Sequence, residues 1–355
     1  MTIQELFEKT IAAAASDLHL IAGTAPVIRV DGRLTSISSY PELSREDVES
    51  LVFSILDPRQ KESFLKNKSL DFSFGYGGGD YGNLGRFRIN IYYQRGTIAG
   101  AFRLLPPKVK TIEELVLPQI CHDFARLRHG FILVTGPTGH GKSTTIASII
   151  NEINMTRPVN IITIEDPIEY VYPKGKSIIS QREIGVDSLS WTEALKSTLR
   201  EDPDVVLVGE MRDSESIASA ITMAETGHLV FSTLHTNSAS QTIDRIIDSF
   251  PDKQQNQIRA QLSGSLEGII SQRLVPKIEN GRIVASEILI ANNAVRSNIR
   301  EAKTHLIDSI IETSQDIGML PLEASLAPLV KEGVIALEVA KSYVLRQESF
   351  AQLIV

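Results

Sequence analysis

The chain of 355 residues contains a single cysteine, Cys121. One cysteine can form neither a disulfide within the chain nor a cysteine-based zinc site, so a reducing compartment is expected. The sequence also lacks an apolar run long enough to span a bilayer, since runs such as Phe131–Thr135 and Val205–Val208 have the length of strands. The first ten residues carry Glu5 and Glu8 instead of the pattern of a signal peptide. These absences predict a cytoplasmic protein that is at most peripheral to a membrane.

The sequence has no excess of basic residues. Lys and Arg number 36 against 43 Asp and Glu, which gives a formal net charge of −7. Because general nucleic-acid binders are more often basic, no nucleic-acid partner is expected. The hydrophobic fraction of 42% is ordinary for a globular protein. The length predicts two domains.

Residues 1–105 combine strand-like and helical patterns. Short apolar runs such as Leu18–Ile21 and Gly85–Tyr93 predict strands. Ser44, followed by acidic residues, predicts the N-cap of a helix. The mixture predicts an N-terminal α+β domain.

A different pattern follows Pro106 and Pro107, which open a polar linker predicted over residues 106–112. In residues 113–355, continuous apolar runs of strand length alternate with helical stretches. This alternation predicts an α/β domain with a doubly wound parallel sheet. The last hundred residues are predicted to be mostly helical.

A phosphate-binding motif follows the apolar run Phe131–Thr135. Residues 136–143 match the pattern G-x-x-x-x-G-K-[ST], whose glycines let backbone N–H groups surround phosphate oxygens at a helix N-terminus. Lys142 can reach the β- and γ-phosphates, and the Ser143 hydroxyl can bind Mg²⁺. ATP and Mg²⁺ are therefore the predicted ligands. The residues predicted to bind the nucleotide here are Gly136, Pro137, Thr138, Gly139, His140, Gly141, Lys142, Ser143 and Thr144.

Carboxylates follow two other predicted strands. The run Val205–Val208 leads to Glu210, at the sheet edge where an acid can order Mg²⁺ and polarise the attacking water. Glu165 and Glu169 belong to a segment with three carboxylates in five residues, which repel one another unless a cation or base lies among them. Glu210 and Glu169, with Lys142, are the predicted catalytic residues. The predicted metal ligands are Ser143, Glu165, Glu169 and Glu210.

Two histidines, His228 and His235, bracket the strand-like run Leu229–Ser232. In a protein with a phosphate-binding loop, this pair predicts a sensor of the γ-phosphate, with His228 catalytic and His235 at the nucleotide. Ordinary structural histidines are the alternative.

Four arginines of the N-terminal domain are candidates for contacts with the transferred phosphate: Arg86, Arg88, Arg95 and Arg103. Arg86 and Arg88 share a face, because side chains alternate along a strand. In a ring, such arginines would come from a neighbouring subunit. Ordinary surface salt bridges are the alternative.

These segments together resemble the secretion-ATPase superfamily, in particular its PilT-type twitching-motility ATPases. The likeness covers nearly the whole chain. It is carried by Ser16–Leu20, Arg86–Asn90, the loop that begins at Gly136, an Asp-box-like segment Ile164–Tyr170, a Walker-B-like segment Leu199–Asp204 with Val208–Asp213, and a His-box-like segment Thr226–His228 with Thr233–Thr236.

The resemblance implies a PAS-like N-terminal domain and a RecA-like P-loop ATPase domain with a helical C-terminal part. It also implies a homohexamer that docks on an inner-membrane pilus platform protein, with a paralogous motor ATPase as a further candidate partner. By correspondence of motifs, Glu210 matches the Walker B catalytic glutamate and Glu169 the Asp-box glutamate. Arg245 matches a family arginine near the active site.

Two features favour pilus retraction over extension. Motors for extension typically have a larger N-terminal region and often a four-cysteine zinc insertion. The predicted N-terminal domain and the single cysteine of this chain leave room for neither. In addition, Ala294–Lys303 resembles the AIRNLIRE motif of the retraction family, with differences at Val295 and Ser297. Arg296 and Arg300 of this segment are four residues apart and are expected to share an exposed helix side.

The resulting prediction is a hexameric ATPase motor for type IV pilus retraction and twitching motility. An accessory, PilU-like pilus motor would need the same chemistry and is the main alternative. A nucleotide-sensing scaffold is disfavoured by the presence of Lys142, Glu169 and Glu210, and a RecA-like DNA motor by the acidic charge balance.

Overall fold

The computed structural model describes residues 1–30, 32–77, 85–105, 108–211 and 213–354. These residues form two compact units. The first comprises Met1–Lys108 with Pro167–Val171, and the second comprises Val109–Asp166 with Tyr172–Val355. Pro106 and Pro107 of the predicted linker, and Arg212 within the Walker-B-like segment Val208–Asp213, lie outside the described part.

The first unit contains a six-stranded antiparallel sheet with the strand order β3-β2-β1-β6-β5-β4. The strands are β1 (Asp17–Ile21), β2 (Val27–Val30), β3 (Arg33–Ser36), β4 (Ser69–Tyr76), β5 (Gly85–Gln94) and β6 (Thr97–Leu105). The helices are α1 (Ile3–Ala12), α2 (Arg45–Phe53) and α3 (Pro58–Asn67).

Local sequence explains both kinds of element in this unit. The hydroxyl of the predicted N-cap Ser44 accepts a hydrogen bond from Asp47 N, and the Asp47 carboxylate accepts one from Ser44 N, so α2 begins at a capping box. In β5, buried residues alternate with partly exposed ones. Phe87 and Ile89 therefore face the core, while Arg86 and Arg88 share the opposite face.

The second unit contains a seven-stranded sheet with the order β13-β12-β7-β11-β10-β8-β9, in which only β13 runs antiparallel to its neighbour. The strands are β7 (Gly130–Thr135), β8 (Asn160–Glu165), β9 (Ile178–Glu183), β10 (Val205–Val208), β11 (Leu229–Leu234), β12 (Leu266–Pro276) and β13 (Arg282–Ile290). The α-helices are α4 (Ile120–Arg126), α5 (Lys142–Thr156), α6 (Trp191–Thr198), α7 (Ser214–Glu225), α8 (Ala239–Asp248), α9 (Asp252–Ser265), α10 (Asn293–Arg300), α11 (Ile307–Thr313), α12 (Leu322–Lys331), α13 (Leu337–Tyr343) and α14 (Gln347–Ile354).

This sheet is covered on both faces. Every residue of β7 is buried, and its successive side chains enter two different cores. Phe131 and Leu133 pack with residues of α6 to α9, whereas Ile132 and Val134 pack with residues of α4 and α5. The observed two-layer covering is the doubly wound α/β arrangement that the sequence predicts.

The prediction that the last hundred residues are mostly helical overlooks β12 and β13. Both strands are buried along most of their length, so neither shows the simple alternation by which a strand is recognised. Helices do dominate from α10 onward, and α12 to α14 form a small core with Val275 and Ala285. None of the helices built by the described residues combines the length and the apolar character that crossing a bilayer requires.

The prediction that Arg296 and Arg300 form an exposed basic pair is wrong for Arg296. Its guanidinium donates to the backbone oxygens of Ser263 (2.8 Å) and Gly264 (3.0 Å) at the C-terminal end of α9. It also donates to Glu267 Oε1 at 2.8 Å. Its side chain is only 20% exposed. Arg296 thus satisfies the terminal carbonyls of a packed neighbouring helix, a role that sequence spacing alone cannot reveal.

Replacement of Arg296 by alanine is therefore expected to destabilise the second unit. The loss of these charge-assisted hydrogen bonds should lower the free energy of unfolding by about 1–3 kcal/mol. Arg300→Ala is the matched control, because Arg300 lies on the same helix but is exposed. Its guanidinium is 3.5 Å from Ser263 Oγ, which is at the limit for a hydrogen bond. Urea unfolding of the two variants measures the difference, and equal stabilities would contradict the capping role of Arg296.

Candidate functional site

The candidate site lies where four parallel strands end at one edge of the second sheet. Thr135 of β7 pairs with Leu234 of β11, Ser232 of β11 pairs with Val208 of β10, and Val208 pairs with Ile164 of β8. The predicted phosphate-binding loop, His235 and Glu210 follow the ends of β7, β11 and β10, and Glu165 is the last residue of β8. The strand register therefore brings residues that are distant in the sequence to one edge of the sheet.

The phosphate-binding loop has the backbone shape that its glycines allow. Gly136 adopts a φ of 140° and lies so close to the backbone oxygen of Gln272 that a Cβ would clash there. Gly141, with a φ of 82°, is the N-cap of α5 and provides no side-chain cap. A helix that begins without a side-chain cap is the kind of end at which backbone N–H groups can donate to a phosphate.

Lys142 is held at the centre of this loop. Its Nζ donates to the backbone oxygens of Gly136 at 2.8 Å and Pro137 at 3.0 Å, and it lies 3.3 Å from His235 Nδ1. The side chain is buried, and these acceptors compensate its charge. A lysine in this position can exchange carbonyl oxygens for phosphate oxygens.

His235 connects the lysine to the acid. Because Lys142 can only donate, the contact with His235 Nδ1 favours the tautomer with its proton on Nε2. His235 Nε2 lies 3.3 Å from Glu210 Oε1. The imidazole also lies 3.4 Å from the hydroxyl of Thr138. Lys142, His235 and Glu210 therefore form one polar chain at the sheet edge.

The backbone before Glu210 is fixed by both neighbouring strands. Gly209 N donates to Ile164 O at 2.8 Å, and the Thr233 hydroxyl donates to Gly209 O at 2.7 Å. Glu165, at the end of β8, accepts hydrogen bonds from Thr163 at 2.7 Å and from Gln181 at 3.4 Å. Glu165 and Glu210, two of the four predicted metal ligands, thus lie at the ends of adjacent strands.

His228 lies at the opposite edge of the sheet. Its backbone oxygen accepts from Gly130 N at the start of β7, and its Nδ1 contacts Met223 O at 2.9 Å. The six residues of β11 separate His228 from His235, a span of about 20 Å at the usual rise per residue. Residues that bracket a strand must lie at its two ends. The position of His228 in its own chain therefore does not support its predicted catalytic role.

The predicted catalytic residue Glu169 belongs to the first compact unit. There its Oε1 lies 3.9 Å from Nη1 of Arg88. Arg88 also makes a 2.8 Å ion pair with Asp71.

The other predicted arginines have varied surroundings. Arg86 donates to the hydroxyl of Ser73, and Arg103 pairs with Asp17 at 3.0 Å. Arg95 lies exposed in the turn between β5 and β6 with a φ of 49°. Arg245 is exposed on α8. Any contact of these arginines with a phosphate remains a prediction.

Sequence reasoning missed three buried polar residues on β12 and β13: Gln272, Arg273 and Glu287. Gln272 and Arg273 contact the phosphate-binding loop and the segment after His235. A signal was present in the sequence, since three polar residues in a row, Ser271 to Arg273, interrupt an otherwise apolar run. Polar groups are buried only where they find hydrogen-bonding partners, so such a run marks a packed polar contact.

Glu287 accepts a hydrogen bond of 2.7 Å from Ala239 N, at the start of α8. Burial raises the pKa of its carboxyl group from 4.5 to about 7, and the nearby Asp308 acts in the same direction. The hydrogen bond from Ala239 opposes this rise. Glu287 is thus poised to titrate near neutral pH beneath the helix that follows the His235 segment.

The residues present fit a nucleotide with Mg²⁺. The uncapped start of α5 and the buried Lys142 suit phosphate oxygens. The hydroxyl of Ser143 and the carboxylates of Glu210 and Glu165 are hard oxygen donors, the kind that Mg²⁺ prefers. When bound, the ion would neutralise phosphate charge.

Known proteins share both the sequence and the fold of this chain. The family model described as "Type II/IV secretion system protein" matches residues 117–300. The type IV pilus retraction ATPase PilT of Pseudomonas aeruginosa is 45% identical over 99% of this chain and 100% of its own length. The type IV pilus ATPase PilU of the same organism is 35% identical over 97% of this chain and 88% of its own length. A crystal structure of the pilus retraction motor PilT with bound ADP superposes with a TM-score of 0.91 at 46% identity, covering 99% of both chains.

The titration of Glu287 predicts a pH-dependent stability. A carboxyl group whose pKa is raised on folding contributes stability that is complete below about pH 4.5 and is lost as the pH rises through about 7. Glu287→Gln keeps an acceptor for Ala239 N but cannot ionise. From pH 5 to pH 8, its free energy of unfolding should therefore rise relative to that of the wild type, by about 3 kcal/mol at most. Urea unfolding at both pH values is the measurement, and parallel pH profiles would contradict the assignment.

Proposed function

Because this chain belongs to the Type II/IV secretion system protein family, and within it to the PilT-type ATPases, we propose that it is an ATP-hydrolysing motor that retracts a type IV pilus and so drives twitching motility. The observation that carries the proposal is the chain of contacts from Lys142 through His235 to Glu210 at the carboxyl edge of the sheet. The lower identity to PilU favours the retraction motor over an accessory motor.

In this proposal the side chains at the carboxyl edge of the second sheet have separate roles. Lys142 and the first N–H groups of α5 bind the phosphates. Glu210 orients and polarises the attacking water, while His235 reports the presence of the γ-phosphate because it touches both Lys142 and Glu210. Ser143, Glu165 and Glu210 are the proposed ligands of Mg²⁺.

The proposal extends to assembly and location. We propose a homohexamer, since a ring would let arginines of one subunit serve the phosphate of another. Glu169 remains a proposed acid of the same reaction. The motor would lie in the cytoplasm, docked on an inner-membrane platform protein, with a paralogous ATPase as a further proposed partner. No nucleic acid takes part.

Two substitutions should separate nucleotide binding from hydrolysis. Lys142→Ala removes the cation among the phosphates and should abolish both ATP binding and turnover. Glu210→Gln keeps the shape and the phosphate contacts, so it should bind ATP with Mg²⁺ but hydrolyse it about 100-fold more slowly. Fluorescent-nucleotide binding and phosphate release measure the two steps. Normal turnover of Glu210→Gln would remove Glu210 from the chemistry.

The direction of the motor is tested in cells. A deletion strain of the source bacterium should lose twitching and accumulate surface pili, because pili are still extended but no longer withdrawn. Wild-type protein should restore twitching, and Glu210→Gln at equal abundance should not. A deletion strain without surface pili would identify an extension motor. Normal twitching in the deletion strain would contradict the assignment as the retraction motor.

A further inference from the structure

Strand β12 extends beyond its neighbour β7 at the candidate site. The pairing of the two strands ends at Ser271 and Thr135, but β12 continues to Pro276. The residues immediately after Ser271 therefore run beside the phosphate-binding loop that begins at Gly136. The clash that a Cβ on Gly136 would make with Gln272 O shows how closely the two backbones approach.

Gln272 joins two parts of the loop region through its side-chain amide. Its Nε2 donates to His140 O at 2.6 Å, and its Oε1 accepts from the Thr145 hydroxyl at 2.7 Å. A backbone oxygen can only accept, so the NH₂ group must face His140, and the amide orientation is fixed by chemistry. The side chain is 1% exposed, so water does not replace these bonds. Gln272 thus ties the loop to the first turns of α5.

The same overhang holds the side chain of His140. Leu274 N donates to His140 Nδ1 at 3.1 Å. Burial lowers the pKa of His140, and the charges of Arg273 and Lys142 add to that effect. A neutral imidazole is what this bond requires, because Nδ1 must accept. Both the backbone and the side chain of His140 are therefore fixed by β12.

Arg273 holds a different segment. Its Nη2 donates to the backbone oxygen and the side-chain oxygen of Asn237, at 2.8 and 3.2 Å, and its Nη1 donates to Gln272 O at 3.0 Å. Asn237 lies two residues after His235. Arg273 is 5% exposed and receives electrostatic support from Glu287. The guanidinium therefore fixes the segment that carries His235.

We propose that Gln272 and Arg273 are positioning residues, of which Gln272 sets the shape of the phosphate-binding loop and Arg273 sets the place of His235. The proposal rests on the proposed function as an ATPase. It predicts that these two neighbouring residues of β12 affect different steps of the reaction. Loss of the Gln272 contact weakens nucleotide binding, whereas loss of the Arg273 contact slows the chemical step.

The first experiment concerns Gln272. In Gln272→Glu, the oxygen that accepts from Thr145 remains, but the donor to His140 O becomes a second acceptor. Gln272→Met removes the donor without burying a charge, and so guards against a failure of the first variant to fold. Both variants should raise the Kd for fluorescent ADP with Mg²⁺, and the KM for ATP, about tenfold, with kcat changed less than about threefold.

Ser286→Ala is the matched control for Gln272. Ser286 pairs with Gln272 on the neighbouring strand β13 and is equally buried, at 1% exposure. Its backbone N–H bonds to Ser325 Oγ, away from the loop. Its nucleotide affinity should equal that of the wild type. A merely structural role for Gln272 predicts a lower melting temperature with an unchanged Kd, and that result would overturn the proposal.

The second experiment concerns Arg273. Arg273→Lys keeps a charge near Glu287 but cannot reach both oxygens of Asn237 and Gln272 O with a planar fork. It should lower kcat about tenfold while the Kd for ADP stays within about threefold of the wild type. An effect of Arg273→Lys on Kd as large as that of Gln272→Met would refute the proposal that the two residues affect different steps.

Failure of the proposed function gives a different result. If wild-type protein neither binds fluorescent ADP nor releases phosphate, the ATPase assignment itself is wrong. If the wild type does both and the Gln272 variants match it, the ATPase assignment stands and the positioning role falls.

Discussion

The parallel register of β7, β11, β10 and β8 is the constraint on which the candidate site depends. Each strand supplies one group at its end or just beyond it, and the paired positions from Thr135 to Ile164 bring those ends to one edge. A shift of one residue would turn side chains from one core to the other, and both cores are fully packed. The apolar contacts on the two faces of the sheet therefore hold Lys142, His235 and Glu210 in place, although none of these three belongs to a core.

A second constraint comes from β12. A strand that buries a glutamine and an arginine loses their hydration, which costs about 1–3 kcal/mol for each group left without a partner. Gln272 and Arg273 recover part of that loss against the loop and the His235 segment. The contacts are therefore reciprocal. Gly136 must lack a side chain for β12 to approach, and β12 must approach for its polar side chains to be satisfied.

Local patterns in the sequence predicted much of this arrangement. Uninterrupted apolar runs identify β7, β10 and β11, and the glycine pattern identifies the loop between Thr135 and Lys142. What local patterns cannot give is the partner of a side chain across the fold. Arg296 was expected in solvent because its spacing fits an exposed helix side, yet it caps α9. His228 differs, since the sequence already indicates that a strand separates it from His235, and the two histidines lie at the two ends of β11.

In the first unit, a phosphate would compete with carboxylates for the guanidinium groups of the predicted arginines. Arg88 is paired with Asp71 and Arg103 with Asp17, so a phosphate would have to displace a carboxylate. The side chains of Arg88 and Asp71 are 36% and 38% exposed, and an ion pair of that kind contributes only about 0–1 kcal/mol. A planar guanidinium binds two oxygens of a phosphate at once, and the phosphate carries more charge. For Arg88 the exchange would therefore cost little free energy, and a contact with the transferred phosphate remains a prediction that its present pairing does not oppose.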